Sequence, residues 1–219
     1  MLESLLAPVF LVLGYFLGTV PTGIVVARMH GVDIRRTGSG NIGATNVLRS
    51  VGPLAALAVV VIDPLKGVIA VALPSMLGLD PWLVGGTAVA TVVGNTFNPF
   101  LGFKGGKGIA TSFGVFLVID PLVTLLAVLL FVITLWLTRF VSLGSLLGVT
   151  GGWLMLVARL NADPDVSAAA PKLTTAFALM LIAFLRHRDN VARLRAGTER
   201  RLGEPRDAAD SVSERPPRG

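Results

Sequence analysis

Pro121-Leu-Val-Thr-Leu-Leu-Ala-Val-Leu-Leu-Phe-Val-Ile-Thr-Leu-Trp-Leu-Thr138 runs from one end to the other without a charged residue. A helix needs about 20 such residues to cross a bilayer, and this run comes close to that length. The rest of the chain repeats the pattern. Apolar segments recur at 5–27, 53–77, 81–100, 107–119, 121–138, 142–160 and 170–186. Hydrophobic residues make up 53% of the 219, charged residues only 15%, and mean hydropathy is +0.75, which excludes an ordinary water-soluble domain. The expected fold is all-α: a polytopic membrane bundle of about seven helices. The segment 107–119 is too short to cross unaided and is expected to be tilted, broken or partly buried.

The charges orient the bundle. With seven spans, Arg28, Arg35, Arg36, Arg49, Lys104, Lys107, Arg139 and an arginine-rich tail fall on one side. Glu3, Asp80, Asp120, Asp163 and Asp165 fall on the other, with Lys172 and Arg159 as its cations. Basic residues stay in the cytoplasm, so the N-terminus is expected outside and the C-terminus inside. The net charge of +6 then faces anionic membrane lipids, and nucleic acid is not an expected partner. No cysteine is present, which removes thiolate chemistry and disulfides. Glu3 and the lack of a basic leading segment mark the first apolar run as a retained span. Residues 1–198 read as one integral domain and 199–219 as a disordered polar tail, too poor in large apolar residues to offset its ordering entropy.

Between the spans lie two glycine-rich segments. Thr37-Gly-Ser-Gly-Asn-Ile-Gly-Ala-Thr-Asn46 interleaves Ser39, Asn41, Thr45 and Asn46 with Gly38, Gly40 and Gly43, and Arg49 follows one turn later. Glycines let backbone N–H groups turn toward an oxyanion, while hydroxyl and amide side chains add neutral donors and Arg49 a forked cation. A helix entered from Ile42 would aim its first N–H groups at the same anion. A flexible cytoplasmic loop is the plainer alternative. Phe103-Lys-Gly-Gly-Lys-Gly-Ile-Ala-Thr111 offers Gly105, Gly106 and Gly108 for close backbone approach, with Lys104 and Lys107 beside them. Its spacing is not that of a nucleotide-binding P-loop. It is either a phosphate loop or a glycine hinge anchored by two lysines.

Three smaller groups complete the candidates. Asp63 and Lys66 interrupt the second span at i,i+3 and can pair, either as a structural tie or as part of a site. His187 and Asn190, in Arg186-His-Arg-Asp-Asn190, share a helical face at the end of the last span. Ser142 and Ser145 open the sixth span and are either caps or phosphate donors. No metal or other cofactor is expected.

These segments, in this order, resemble the bacterial acyl-phosphate-dependent glycerol-3-phosphate acyltransferases. The likeness runs from about Leu13 to Glu199. It rests on Val32-Asp-Ile-Arg35 leading into Gly38–Asn46, on Asp63-Pro-Leu-Lys-Gly67, on Gly102–Thr111, and on Arg186–Asn190 followed by Gly197-Thr-Glu199. The resemblance implies a multi-pass inner-membrane enzyme whose active site faces the cytoplasm. Its substrates would be acyl phosphate and glycerol 3-phosphate, and its products lysophosphatidic acid and phosphate. Matched by motif, Ser39, Arg49, Lys107, His187 and Asn190 fall at catalytic positions. Gly40, Asn41, Gly43, Thr45, Asn46, Lys104, Gly105, Gly106, Gly108, Ser142 and Ser145 fall in phosphate-binding segments. Two departures stand out: Asn95 where the family usually has His after Gly94, and Pro64 where an aliphatic residue is usual, which is expected to loosen the second helix. A paralogue with a different acceptor and a membrane anion transporter are the alternative functions. Against transport, no internal repeat is visible.

Overall fold

The computed structural model describes residues 2–161 and 166–204, all helical or irregular; the side chains of 2–4 and 166–168 are not among those described. Asp163, Asp165, the Glu3 side chain and the tail beyond 204 therefore lie outside it. Among the described residues ten α-helices follow one another: α1 Leu2–Thr19, α2 Thr22–Met29, α3 Ala44–Ser50, α4 Pro53–Met76, α5 Pro81–Thr96, α6 Ile109–Ile119, α7 Pro121–Thr138, α8 Val141–Leu160, α9 Val166–Arg186 and α10 Arg188–Arg195. Among the described residues, five stretches are long and apolar enough to cross a membrane: Leu5–Met29, Pro53–Met76, Pro121–Thr138, Val141–Leu160 and Ala169–Arg186. Helix α6, with 11 residues, is the short segment expected from the sequence, and α5 has 16.

Two helix starts share one device. Asp80 and Asp120 each precede a proline and accept hydrogen bonds from the two free N–H groups beyond it, Trp82 and Leu83 in one case and Leu122 and Val123 in the other. Proline has no N–H to satisfy at that first position, so the pair starts a helix cleanly. The same dipeptide at Asp63-Pro64 starts nothing. Helix α4 runs through it without interruption, and Asp63 turns its carboxylate to Lys66 and Thr22 instead.

The first apolar run, expected as one continuous span, is broken at Val20-Pro21. Proline supplies no N–H and helix α1 ends at Thr19. Its exposed carbonyls find side-chain donors: Asn98 Nδ2 reaches Thr19 O at 2.6 Å, and Lys66 Nζ reaches Val20 O at 2.6 Å while pairing with Asp63 at 2.6 Å. The Asp63–Lys66 pair thus forms and closes the break. Lys66 is 3% exposed, so losing either partner would leave a charge uncompensated in a dry interior.

Helix pairs meet through small residues. A side chain at Gly18 would strike the Thr91 carbonyl and one at Gly94 the Tyr15 carbonyl, so α1 and α5 touch backbone to backbone. Gly67 and Gly114 bring α4 and α6 together in the same way. In lipid, where burying apolar surface between helices gains little, such contact supplies the packing energy. The outward faces are apolar: Leu54, Leu57 and Leu65 on α4, and Leu125, Leu129, Trp136 and Leu137 on α7, all stand exposed. A patch of that extent suits hydrocarbon, not water.

Candidate active site

The α2–α3 connection is organised around one side chain. Asn46, 2% exposed, donates from Nδ2 to the carbonyls of Thr37 and Asn41 at 2.9 Å and of Ile34 at 3.2 Å; its Oδ1 accepts from Ser39 N–H at 3.0 Å. Gly38 has φ +61°, and a side chain there would collide with Asn46 Oδ1. Asn41 Oδ1 accepts from Gly43 N–H, turning the chain into α3. Expected as a phosphate ligand, Asn46 lines the neighbouring cavity but spends its amide N–H groups on backbone carbonyls, fastening the loop from within. Ser39 and Asn41 of the loop, and Thr45 and Arg49 of α3, line the same cavity.

The second glycine segment is held from outside. Gly105 and Gly106 donate their N–H groups to Thr96 O at 3.1 Å and Asn95 O at 2.9 Å, at the end of α5. A side chain at Gly105 would strike the Asn95 carbonyl. Arg186, at the end of α9, donates to the carbonyls of both glycines at 3.1 and 3.2 Å and lies over the Phe97 ring. The expectation of a phosphate-facing glycine is corrected for Gly105, which packs on α5 away from the cavity; Gly106 lines the cavity, but its N–H is bonded to Asn95 O. Lys104 is exposed and does not line the cavity, which corrects its place among the phosphate residues. Gly40, Gly105 and Lys66 do not line it either, whereas Gly43, Gly106, Gly108 and Asp63 do.

Lys107 crosses from this loop to the C-terminal part of the chain. Its Nζ donates to Asn190 Oδ1 at 2.5 Å, and Asn190 Nδ2 donates to Glu199 Oε1 at 2.6 Å. The same oxygen accepts from Ser142 Oγ at 2.6 Å, and Glu199 Oε2 from Arg193 Nε at 2.8 Å. Burial pushes the Glu199 carboxyl up, but its three donors outweigh that and hold it below the ordinary range. Ser145 lines the same cavity but does not join this network; its hydroxyl bonds back to Val141 O. Burial is also the main cause that lowers Lys107 to about 8.

His187 caps α10, with 1% exposure. Its Nδ1 lies 2.8 Å from Ala183 O, a pairing that makes Nδ1 the protonated nitrogen and leaves Nε2 as an acceptor. Burial, then Lys107, lowers its pKa to about 4, so the ring is neutral near pH 7.

Sequence reasoning placed Glu199 at the start of a disordered tail, yet residues 199–204 lie against the site. Leu202 N–H donates to Arg139 O at 2.7 Å, Arg201 lies over the Phe140 ring, and Arg49 donates to Arg201 O at 3.2 Å. Arg186 and Arg193 were also missed as site residues. The signal for Glu199 was its place in Gly197-Thr-Glu199, a carboxylate beside a cluster of cations; nothing local marked Arg186.

Ser39, Arg49, Lys107, Ser142, His187 and Asn190 line one cavity of about 1080 Å³. Apolar side chains line it as well, among them Val60, Pro64, Phe113, Val128, Phe131 and Leu185. A lining that combines cationic donors with apolar side chains suits an anionic head group carrying a hydrocarbon chain.

Comparison with known proteins identifies the architecture. The sequence profile of the family described as glycerol-3-phosphate acyltransferase matches residues 8–197. The glycerol-3-phosphate acyltransferase of Thermus thermophilus is 45% identical over 194 residues, covering 89% of this chain and 94% of that protein. Glycerol-3-phosphate acyltransferase 1 of Deinococcus radiodurans is 46% identical over 205 residues, covering 92% and 98%. The crystal structure of PlsY (YgiH), an integral membrane glycerol 3-phosphate acyltransferase, in its glycerol 3-phosphate form, superposes with a TM-score of 0.81 at 36% identity, covering 90% of this chain and 96% of that one. Its lysophosphatidic acid form gives 0.79 at 37% identity, covering 90% and 95%. With its helical membrane fold and its motifs gathered on one cavity, the chain belongs to the glycerol-3-phosphate acyltransferase family.

Proposed function

We propose that the protein transfers a fatty acyl group from acyl phosphate to the 1-hydroxyl of glycerol 3-phosphate, giving lysophosphatidic acid and inorganic phosphate in bacterial phospholipid synthesis. It does so as a seven-span protein of the inner membrane, with its N-terminus outside and its cavity and C-terminus facing the cytoplasm. One observation carries this: Arg49 and Lys107 share a cavity with an apolar wall and a neutral, buried histidine.

Acyl phosphate is a mixed anhydride and needs little covalent help. The task is to hold two phosphate-bearing molecules close, offset their repulsion and stabilise charge on the departing phosphate. Lys107 and Ser39 take the acyl-phosphate head group; Arg49, His187 and Asn190 take glycerol 3-phosphate. The 1-hydroxyl oxygen attacks the acyl carbonyl carbon, the bond from that carbon to the phosphate oxygen breaks, and its electron pair leaves on phosphate. His187 Nε2, the free acceptor of a neutral ring, receives the hydroxyl proton and returns it to the phosphate. Glu199 accepts from Asn190 and Ser142 and so positions both.

Purified protein supplied with radiolabelled glycerol 3-phosphate and palmitoyl phosphate, palmitoyl-CoA or palmitoyl acyl carrier protein tests the donor. Labelled lysophosphatidic acid is expected with palmitoyl phosphate alone. Product with a thioester and none with palmitoyl phosphate would overturn the donor assignment.

A further inference from the structure

Six helical threonines share a pattern that Thr111 lacks. Thr87, Thr91, Thr96, Thr124, Thr134 and Thr138 each donate to the carbonyl four residues earlier, which hides the hydroxyl from its apolar surroundings. Thr111 stands in the first turn of α6, and the residue four before it is Lys107, outside the helix. Gly108 between them adopts a left-handed conformation, φ +75°, so the Lys107 carbonyl is not carried in helical register above the Thr111 side chain. Thr111 is 1% exposed, and its Oγ1 has no hydrogen-bond partner. Thr150 Oγ1 is the only other side-chain atom in that state among the described residues.

A buried hydroxyl without a partner carries a desolvation cost that folding does not recover. The two cases differ in what surrounds them. Thr111 lines the cavity, as do Lys107 four residues before it and Phe113 two residues after it in the chain; Thr150 does not line it.

We infer that the Thr111 hydroxyl is a substrate-binding group: it donates to an oxygen at the junction of phosphate and acyl carbonyl in the bound acyl donor, and so sets where the head group ends and the chain begins. This rests on the acyl-phosphate reading above. The donor oxygen supplies the acceptor that the helix does not, and Lys107, four residues earlier and on the same cavity, holds the phosphate.

Thr111→Val keeps the shape and removes the hydroxyl; Thr111→Ser keeps the hydroxyl; Thr150→Val is the matched control. In full-length protein, Thr111→Val is expected to raise KM for palmitoyl phosphate about tenfold and to shift KM for glycerol 3-phosphate less than about twofold. Thr111→Ser and Thr150→Val should leave both within about twofold of wild type. Both valine variants should match or exceed the wild-type melting temperature, because each removes an unpaired buried hydroxyl. The rise in melting temperature that palmitoyl phosphate gives the wild type should shrink in Thr111→Val alone. The inference is overturned if Thr111→Val leaves the palmitoyl phosphate KM and that thermal shift unchanged. It is equally overturned if Thr111→Val lowers the melting temperature while raising both KM values together, the mark of a structural bond. Wild-type protein that neither turns over nor is shifted by palmitoyl phosphate would overturn the donor reading, and this inference with it. Normal wild-type turnover with an indifferent Thr111→Val overturns this inference alone.

Discussion

The two glycine-rich segments look alike as sequence and are built on opposite plans. The first, at 37–46, takes its polar fastening from within, where Asn46 binds Ile34, Thr37, Asn41 and Ser39, while Ile42 seats it on the apolar core of α2 and α4. The second, at 103–108, is held from outside by the end of α5 and by Arg186 of α9. Neither uses its glycines as a plain cradle of N–H groups. In both, glycine lets backbone pack closely so that one or two charged side chains stand at fixed points over a shared cavity. Composition alone does not separate a loop that binds from a loop that aims.

The contrast can be tested in four experiments. Lys107→Ala should have the largest effect, because it removes the charge that the second segment exists to place; kcat/KM should fall by about three orders of magnitude, as when a transition-state donor is lost. Thermal melting should change little. If instead the melting temperature falls with activity, Lys107 holds the fold and the contrast fails.

Asn46→Ala comes next. It leaves the carbonyls of Ile34 and Asn41 and the N–H of Ser39 without a partner, at about 1–3 kcal/mol for each one that stays dry, so stability and activity should fall together, activity by about a hundredfold. Asn41→Ala removes one local turn bond and should cost about 1 kcal/mol. Equal losses in the two variants, read by thermal melting, would refute the self-fastened description of the first segment.

The pH profile is third. Lys107 has its pKa lowered to about 8, so its charge is present below that value and lost as pH rises through it. The free-enzyme profile of kcat/KM should therefore turn down above about 8 and lose about tenfold by about one pH unit beyond the turn. Lys107→Arg should move that limb to higher pH, since guanidinium keeps its proton. His187, lowered to about 4, should contribute no limb near its ordinary value. A limb near 6.5 that disappears in His187→Ala would show the ring titrating where burial says it does not.

The smallest effect belongs to Lys104. Exposed and outside the cavity, its replacement by Ala should change kcat/KM by less than about twofold. A large loss would mean that both lysines of the second segment bind substrate, and the two segments would then differ less than their geometry indicates.

Much of this was legible beforehand because it is local. Long uncharged runs such as 121–138 have few alternatives to a helix in lipid, since every backbone group must be satisfied within the segment. Arg49, Lys107, Ser39, His187 and Asn190 announced themselves by chemistry that has little reason to sit at a membrane surface unless it meets an anion. The Asp63–Lys66 pair was legible from its spacing. The break at Val20-Pro21 was missed because proline inside an apolar run reads as a kink, and only Asn98 and Lys66, far along the chain, make a full interruption tolerable.

What the chain determined by itself is therefore the class of fold, the apolar segments and the kinds of atoms available to hold phosphate, all consequences of composition and short-range spacing. Tertiary structure alone decided which of those atoms line the cavity with their bonding capacity free. Asn46 and the N–H groups of Gly105 and Gly106 were taken by backbone partners, while Glu199, assigned to a tail, became the acceptor on which Ser142, Asn190 and Arg193 converge. The physical reason is that a polar group in a dry interior bonds to whatever acceptor or donor the packing brings within about 3 Å, and sequence neighbours do not disclose that partner.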